Sequence, residues 1–121
     1  MEAEGRELGF ELVHIGINQP NDAEARRTVE TLCTLFGFQS READTSFFVN
    51  EQFEIMKFPY LGELGHVAIG TNDVERAVEY LQGKGVEFDA STAGTGADGK
   101  LRIIYFARDI AGFRFHLTRK G

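Results

Sequence analysis

The chain holds three histidines, and two of them head nearly identical phrases, HIGIN at 14–18 and HVAIG at 66–70. The third, His116, lies in the closing FRFHLTR, and a strand-like FEIMKF places Glu54 in the first half. Neutral imidazole ligates transition metals and carries protons near neutral pH. His14, His66 and His116 with Glu54 make a set of three nitrogens and one carboxylate. That set suits Zn, Ni, Co, Fe or Mn rather than Ca or Mg, which prefer all-oxygen ligands. It also leaves coordination positions open, as catalysis by a metal requires.

Taken singly, each residue has a plainer reading. A strand histidine is ordinarily a hydrogen-bonded structural residue, and a strand glutamate ordinarily faces water. Their placement argues otherwise. FELVHIGIN alternates, with Val13, Ile15 and Ile17 on one face and His14, Gly16 and Asn18 on the other. A helix follows over 22–36, with Asn21 as cap, Glu24 three positions on, a stripe of Ala25, Val29, Leu32, Cys33 and Phe36, and Gly37 as stop. Three short strands come next, at about 38–43, SFFVN and FEIMKFP. The second half repeats the plan: a strand GHVAIG, a helix near 73–83 capped by Asn72, then strands VEFDA, LRIIYFAR and FRFHLTR. NDAE at 21–24 and NDVE at 72–75 mark the same repeat. STAGTGADGK reads as a mobile Gly-rich loop ending in an Asp-Gly turn, with no helix start after it and hence no phosphate-binding loop.

Each half is β-α-β-β-β, so the fold class is α+β: two modules forming a cup-shaped mixed sheet with helices outside. Val13, Ile15, Ile17, Phe53, Ile55, Val67, Ile69, Phe113, Phe115 and Leu117 suit packing under the helices. The opposite face mixes His14, Gly16, Asn18, Glu54, Met56, Phe58, His66, Ala68, Gly70, Arg114, His116 and Thr118. Polar groups among small neighbours leave space there, so this face reads as a cup. All three histidines and Glu54 lie on it, in the first or last strand of a module. A carboxylate beside Met56 and Phe58 without a cation would be costly to bury. Residues 1–9 read as a polar, aperiodic tail or linker. The domain then spans 10–121, with module one at about 10–60 and module two at about 64–120.

At 121 residues the chain accommodates a single domain with a real core, and 42% apolar with 26% charged residues is an ordinary globular balance. The net charge of −6 and the lack of a basic stripe argue against nucleic acid as a partner. No apolar run reaches membrane-spanning length and the N-terminus carries no signal peptide, so no membrane partner is expected. The single cysteine, Cys33, falls on a helix stripe and reads as a small core residue, consistent with a cytoplasmic location.

The duplicated plan, VHIGIN, GHVAIG, FEIMKF and the ending RDIAGFRFHL resemble the vicinal oxygen chelate superfamily, which includes glyoxalase I, bleomycin-resistance proteins and extradiol dioxygenases. The similarity covers residues 10–119. It implies a cup holding a divalent metal, with His14, Glu54, His66 and His116 as ligands. In the glyoxalase pattern the last ligand is commonly Glu; His116 in its place puts glyoxalase I chemistry in doubt. LGFELVHIGIN, EIMKFPYLGELGHVAIGTN and GVEFD are also similar to the domain appended to some bacterial 2-dehydro-3-deoxyphosphogluconate aldolases. That likeness implies an accessory domain, with an aldolase as fused or associated partner.

The resulting expectation is a metal-dependent lyase, isomerase or dioxygenase-like domain that chelates a small anionic ligand, such as a 2-oxo acid or hydroxyketone. Glu54 or His116 is the candidate base. Arg114 is the candidate anion receptor, its alternative being a surface cation, and Phe58, Tyr60 and Tyr105 are candidate walls. The alternative is a non-catalytic ligand-binding or regulatory module of the bleomycin-resistance type. The modules can pair within one chain or across a homodimer through the segment PYLGELG.

Overall fold

The structure, a computed structural model, describes residues 3–121. In chain order the elements are α1 (Ala3–Leu8), β1 (Glu11–Ile17), α2 (Asp22–Phe36), β2 (Ser40–Glu42), β3 (Ser46–Val49) and β4 (Phe53–Met56). The second half supplies β5 (Gly65–Thr71), α3 (Val74–Gln82), β6 (Phe88–Thr95), β7 (Leu101–Ile110) and β8 (Phe113–Arg119). From β1 and from β5 the order is strand, helix and three strands, as the repeated phrases imply.

All eight strands join one mixed sheet in the order β2-β3-β4-β1-β5-β8-β7-β6. Each module pairs its first and last strands in parallel, β1 with β4 and β5 with β8. The two halves then meet through the antiparallel pair β1–β5 within the same chain. Among the described residues the sheet does not close, and its helices pack on one face. Among the described residues no helix is long and apolar enough to cross a membrane.

The helices begin where side chains accept orphan amides. Asn21 caps α2 by accepting from the Glu24 amide, and Gly37, at a left-handed φ of 69°, donates its amide to the Cys33 carbonyl. The cap of α3 is Asp73, not the expected Asn72: Asp73 accepts from the Arg76 amide. Asn72 instead donates its side-chain amide to the Glu7 carbonyl. Ala25 and Val29 of α2 lie on Phe47, Val49 and Ile55, with Cys33 against this cluster. Val74 and Ala77 of α3 lie on Ile104, Leu117 and Leu8. Each module therefore has its own core between helix and sheet, and neither core includes the cup face. Phe36, expected on the buried stripe, is exposed and rests on Phe38.

Three other expectations are corrected. Residues 3–8 form helix α1 instead of an aperiodic tail: Leu8 is fully buried in the second core, and its carbonyl accepts from the Thr71 hydroxyl at 2.8 Å. The segment 91–95, read as loop, extends β6, with register shifts on either side of Gly94; the turn is confined to 96–100. Val13 does not pack under a helix. The β1–β5 register shifts between Leu12 and His14, a bulge that turns Val13 to the cup side.

Candidate metal centre

Strand register sets the site before any side-chain detail. One row across the sheet reads Phe48, Glu54, Gly16, His66, Arg114, from β3 to β8. The next reads His14, Ala68, His116, Tyr105, from β1 to β7. In each module the histidine of the first strand is followed two positions on by a small residue, Gly16 or Ala68. That small residue is flanked by the donor of its own last strand and the histidine of the other module. Glu54 and His116 are thus equivalent positions of the repeat.

The small residues are what lets the donors meet. A Cβ on Gly16 would overlap Cε1 and Nδ1 of His66, so the ring occupies the space a side chain would fill. Glu54 Oε1 lies 2.9 Å from His66 Nε2 and 3.3 Å from His14 Nε2. The two Nε2 atoms are 3.2 Å apart. One ligand nitrogen from each of His14, His66 and His116 lies within 4.8 Å of the others. The His116 ring centre is 5.5 Å from that of His66 and 6.2 Å from that of His14. All four side chains line one cavity of about 340 Å³ with Val13, Thr45, Met56, Tyr60, Ile103, Tyr105 and Thr118.

This donor set fits a divalent transition metal. Ligand atoms sharing an ion at about 2.0–2.2 Å lie roughly 3 Å from one another, the spacing of the Glu54, His66 and His14 atoms. Hydrogen bonding alone accounts for the triangle poorly. Two imidazoles can each donate to Glu54, but their Nε2 atoms then meet with like polarity. Among the described residues the buried His66 Nδ1 also has no partner, so the polar contacts described for this ring are all directed at the cluster.

The surroundings prepare each donor. Burial works against the Glu54 charge, yet hydrogen bonds from His14, His66 and Ser46 outweigh it and hold the carboxyl well below the usual range. Ser46, which the sequence reading passed over, donates its hydroxyl to Glu54 Oε2 at 2.7 Å. Burial lowers His116 to about 4, so its ring is neutral at physiological pH. His116 Nδ1 lies 3.3 Å from the Leu117 carbonyl. A carbonyl only accepts, so Nδ1 carries the proton and Nε2 keeps a free lone pair. The Tyr105 ring lies 4.5 Å from that of His116, tilted by 36°, and burial raises its phenol to about 12. Phe48 sets its ring edge-on to His14 at 5.6 Å. Arg41 lies over Phe48 at 4.3 Å, tied to Glu51 by two hydrogen bonds.

Of the expected ligand-contacting residues, Tyr105 and Tyr60 line the cavity, whereas Arg114 and Phe58 do not. Arg114 has the right strand parity, but Asp109, opposite it on β7, takes its Nε at 2.7 Å. Phe58 lies beyond the end of β4 and is exposed.

No protein-family model matches the chain, and no curated protein matches it in sequence. Solved structures do match in fold. A hypothetical protein from Bacillus halodurans C-125 has a TM-score of 0.64 at 15% identity, covering 93% of this chain and 96% of that one. Methylmalonyl-CoA epimerase from Mycobacterium tuberculosis has a TM-score of 0.59 at 18% identity, covering 91% and 87%. A mutant homoprotocatechuate 2,3-dioxygenase from Brevibacterium fuscum has a TM-score of 0.59 at 14% identity, covering 90% of this chain but 32% of the dioxygenase. The likeness at these identities is one of fold: the chain has the vicinal oxygen chelate fold. None of these three is named as an aldolase or as part of one, and that narrower resemblance gains no support from them.

Proposed function

We propose that the cup is a divalent transition-metal centre that presents a small ligand with two neighbouring oxygens to His116 and Tyr105. The triangle of Glu54 Oε1, His66 Nε2 and His14 Nε2, with edges of 2.9, 3.2 and 3.3 Å, carries this reading. A bound metal would supply Lewis acidity toward the ligand's oxygens.

The chain's own groups divide the remaining work. Three donors already hold the Glu54 carboxylate ionised, which suits it to ligation and makes it a poor base. His116, neutral with Nε2 free, is the better proton acceptor. Tyr105 keeps its phenolic proton across the working pH range and can donate it to a ligand oxygen. Val13, Met56 and Ile103 give the cavity apolar wall. Among the described residues no Lys or Arg lines the cavity, so recognition of the ligand's oxygens falls to the centre and to the Tyr105 hydroxyl. A small 2-oxo acid or hydroxyketone fits these groups, and proton transfer beside its carbonyl makes the reaction an isomerisation or lyase step. The fold shared with methylmalonyl-CoA epimerase agrees with such chemistry.

A dioxygenase is the second reading, and the composition of the triangle favours it. Two histidines and one carboxylate are the donor set of non-haem iron oxygenases, and a dioxygenase shares the fold. One experiment separates the readings. Protein purified without a histidine tag is analysed for metals, then offered 2-oxo acids and hydroxyketones in D₂O, and catechols under oxygen. Deuterium uptake beside the carbonyl supports the lyase or isomerase reading, and ring cleavage supports the dioxygenase. Ligand binding without turnover would leave a binding module, and protein that takes up no divalent metal would overturn the proposal.

A further inference from the structure

We infer that Ser46 is a positioning residue that makes Glu54 a one-oxygen donor, an inference that rests on the metal-centre reading above. Ser46 opens β3 and is 1% exposed, although it carries a hydroxyl. That hydroxyl donates to Glu54 Oε2 at 2.7 Å, while Oε1 turns to His66 at 2.9 Å and His14 at 3.3 Å. The two carboxylate oxygens therefore have separate tasks. The terminal carboxylate torsion is soft and roughly two-fold, so a donor fixed on one oxygen sets the rotation of the carboxylate plane and keeps only the other oxygen toward the histidines. A carboxylate that used both oxygens would occupy two coordination positions. Held by Ser46, Glu54 occupies one and leaves the other for a ligand oxygen.

The repeat supplies an internal comparison. In module one Phe48 stands opposite Glu54 and Ser46 opposite Met56. In module two Tyr105 stands opposite His116 and Ile103 opposite Thr118. Phe48 and Tyr105 are thus equivalent, as are Ser46 and Ile103. The hydroxyl stands at the equivalent position next to the carboxylate, and an aliphatic side chain stands next to the imidazole. An imidazole has one nitrogen to offer once Nδ1 is bonded, and His116 Nδ1 is held by its own Leu117 carbonyl. It needs no second group to limit it to one donor atom. A carboxylate does.

The test is titration of the full chain with Co²⁺, followed by calorimetry and by visible absorption, which reports coordination number. The parent should bind Co²⁺. Ser46→Ala should bind it about 10- to 100-fold more weakly, with weaker and shifted visible bands as the freed second oxygen joins the metal. Ser46→Thr, which restores a hydroxyl, should recover both affinity and spectrum. Ser46→Ala with parental affinity and spectrum would overturn the inference. Should circular dichroism show Ser46→Ala unfolded, Ser46→Val decides: it has the shape of the Ser46→Thr variant without the hydroxyl, so it should bind more weakly than Ser46→Thr, and parental affinity and spectrum in Ser46→Val would overturn the inference. A parent that takes up no Co²⁺ fails differently, because it sinks the metal centre itself.

Discussion

Glu54 Oε1 and His66 Nε2 meet at 2.9 Å over the backbone of Gly16, the residue in register with both. Two modules thus contribute one donor each to a contact that a single side chain on β1 would block. Gly16→Ala would place a methyl group inside the His66 ring. Backbone and ring must then separate, at about 1–3 kcal/mol of stability for overpacking. Metal affinity should fall by at least about tenfold, as for other losses of ligand support. Thermal melts with and without metal check both effects. An unchanged metal-induced shift would show that the Glu54–His66 contact is not part of the centre.

Much of this arrangement was legible because two periodicities act together. Alternation in a strand assigns faces, and repetition of HIGIN and HVAIG assigns corresponding strands. Together they put His14, Glu54, His66 and His116 on one face without any distance information. Register is where that reasoning stops. Val13 changed sides because one extra residue in a bulge reverses the parity N-terminal to it. Ser46 stayed hidden because its tie to Glu54 depends on the offset of the β3–β4 hairpin, diagonal to the pair Phe48–Glu54. Arg114 had the expected parity, but its partner Asp109 became visible only with the β7–β8 pairing. The helix α1 rests on one buried side chain, Leu8, too little to produce a periodic signal.

Stability should fall as pH drops from about 6.5 to about 4. Burial lowers His116 from its ordinary 6.5 to about 4 in the folded protein. Between those values the unfolded chain binds more protons, so folding loses free energy as the pH falls. The stabilising contribution is complete above 6.5, and its loss is on the order of 3 kcal/mol below 4. Glu54 acts in the same direction at lower pH, since its folded-state value lies well below the usual carboxylate range. Denaturant unfolding of metal-free protein across this window checks the sign. His116→Gln should flatten the curve above pH 4.5, and an equally steep curve would place the titration elsewhere.

Arg114→Ala should leave metal affinity and ligand binding close to parental. The guanidinium is occupied by Asp109 at 2.7 Å and does not line the cavity. The expected cost is about 1 kcal/mol or less, that of a partly exposed ion pair. It should be shared by Asp109→Asn, whose side chain also receives the Glu63 amide at 3.0 Å. Calorimetric titration with any 2-oxo acid that binds the parent decides the matter. A large affinity loss confined to Arg114→Ala would return this residue to anion recognition.

The sharpest contrast should lie between His66 and His116. His66 Nε2 stands at a corner of the tight triangle, 2.9 Å from Glu54 and 3.2 Å from His14. Its removal takes away one of three mutually adjacent donors, and His66→Ala should lower metal affinity by about 100-fold or more, beyond the loss expected for a supporting group. His116 stands outside the triangle, with its ring centre 5.5 Å from that of His66. With Nδ1 on the Leu117 carbonyl its Nε2 keeps the lone pair, and Tyr105 lies tilted by 36° against the ring. His116→Gln should therefore keep most of the metal affinity, within about tenfold, and lose about 10²- to 10⁴-fold in any proton-transfer rate, the usual contribution of a general base. Metal titration of both variants beside deuterium exchange of a 2-oxo acid reads the two effects separately. Equal loss of metal from both would make His116 a full ligand, and the proton acceptor would then have to be sought among the other groups of the cup.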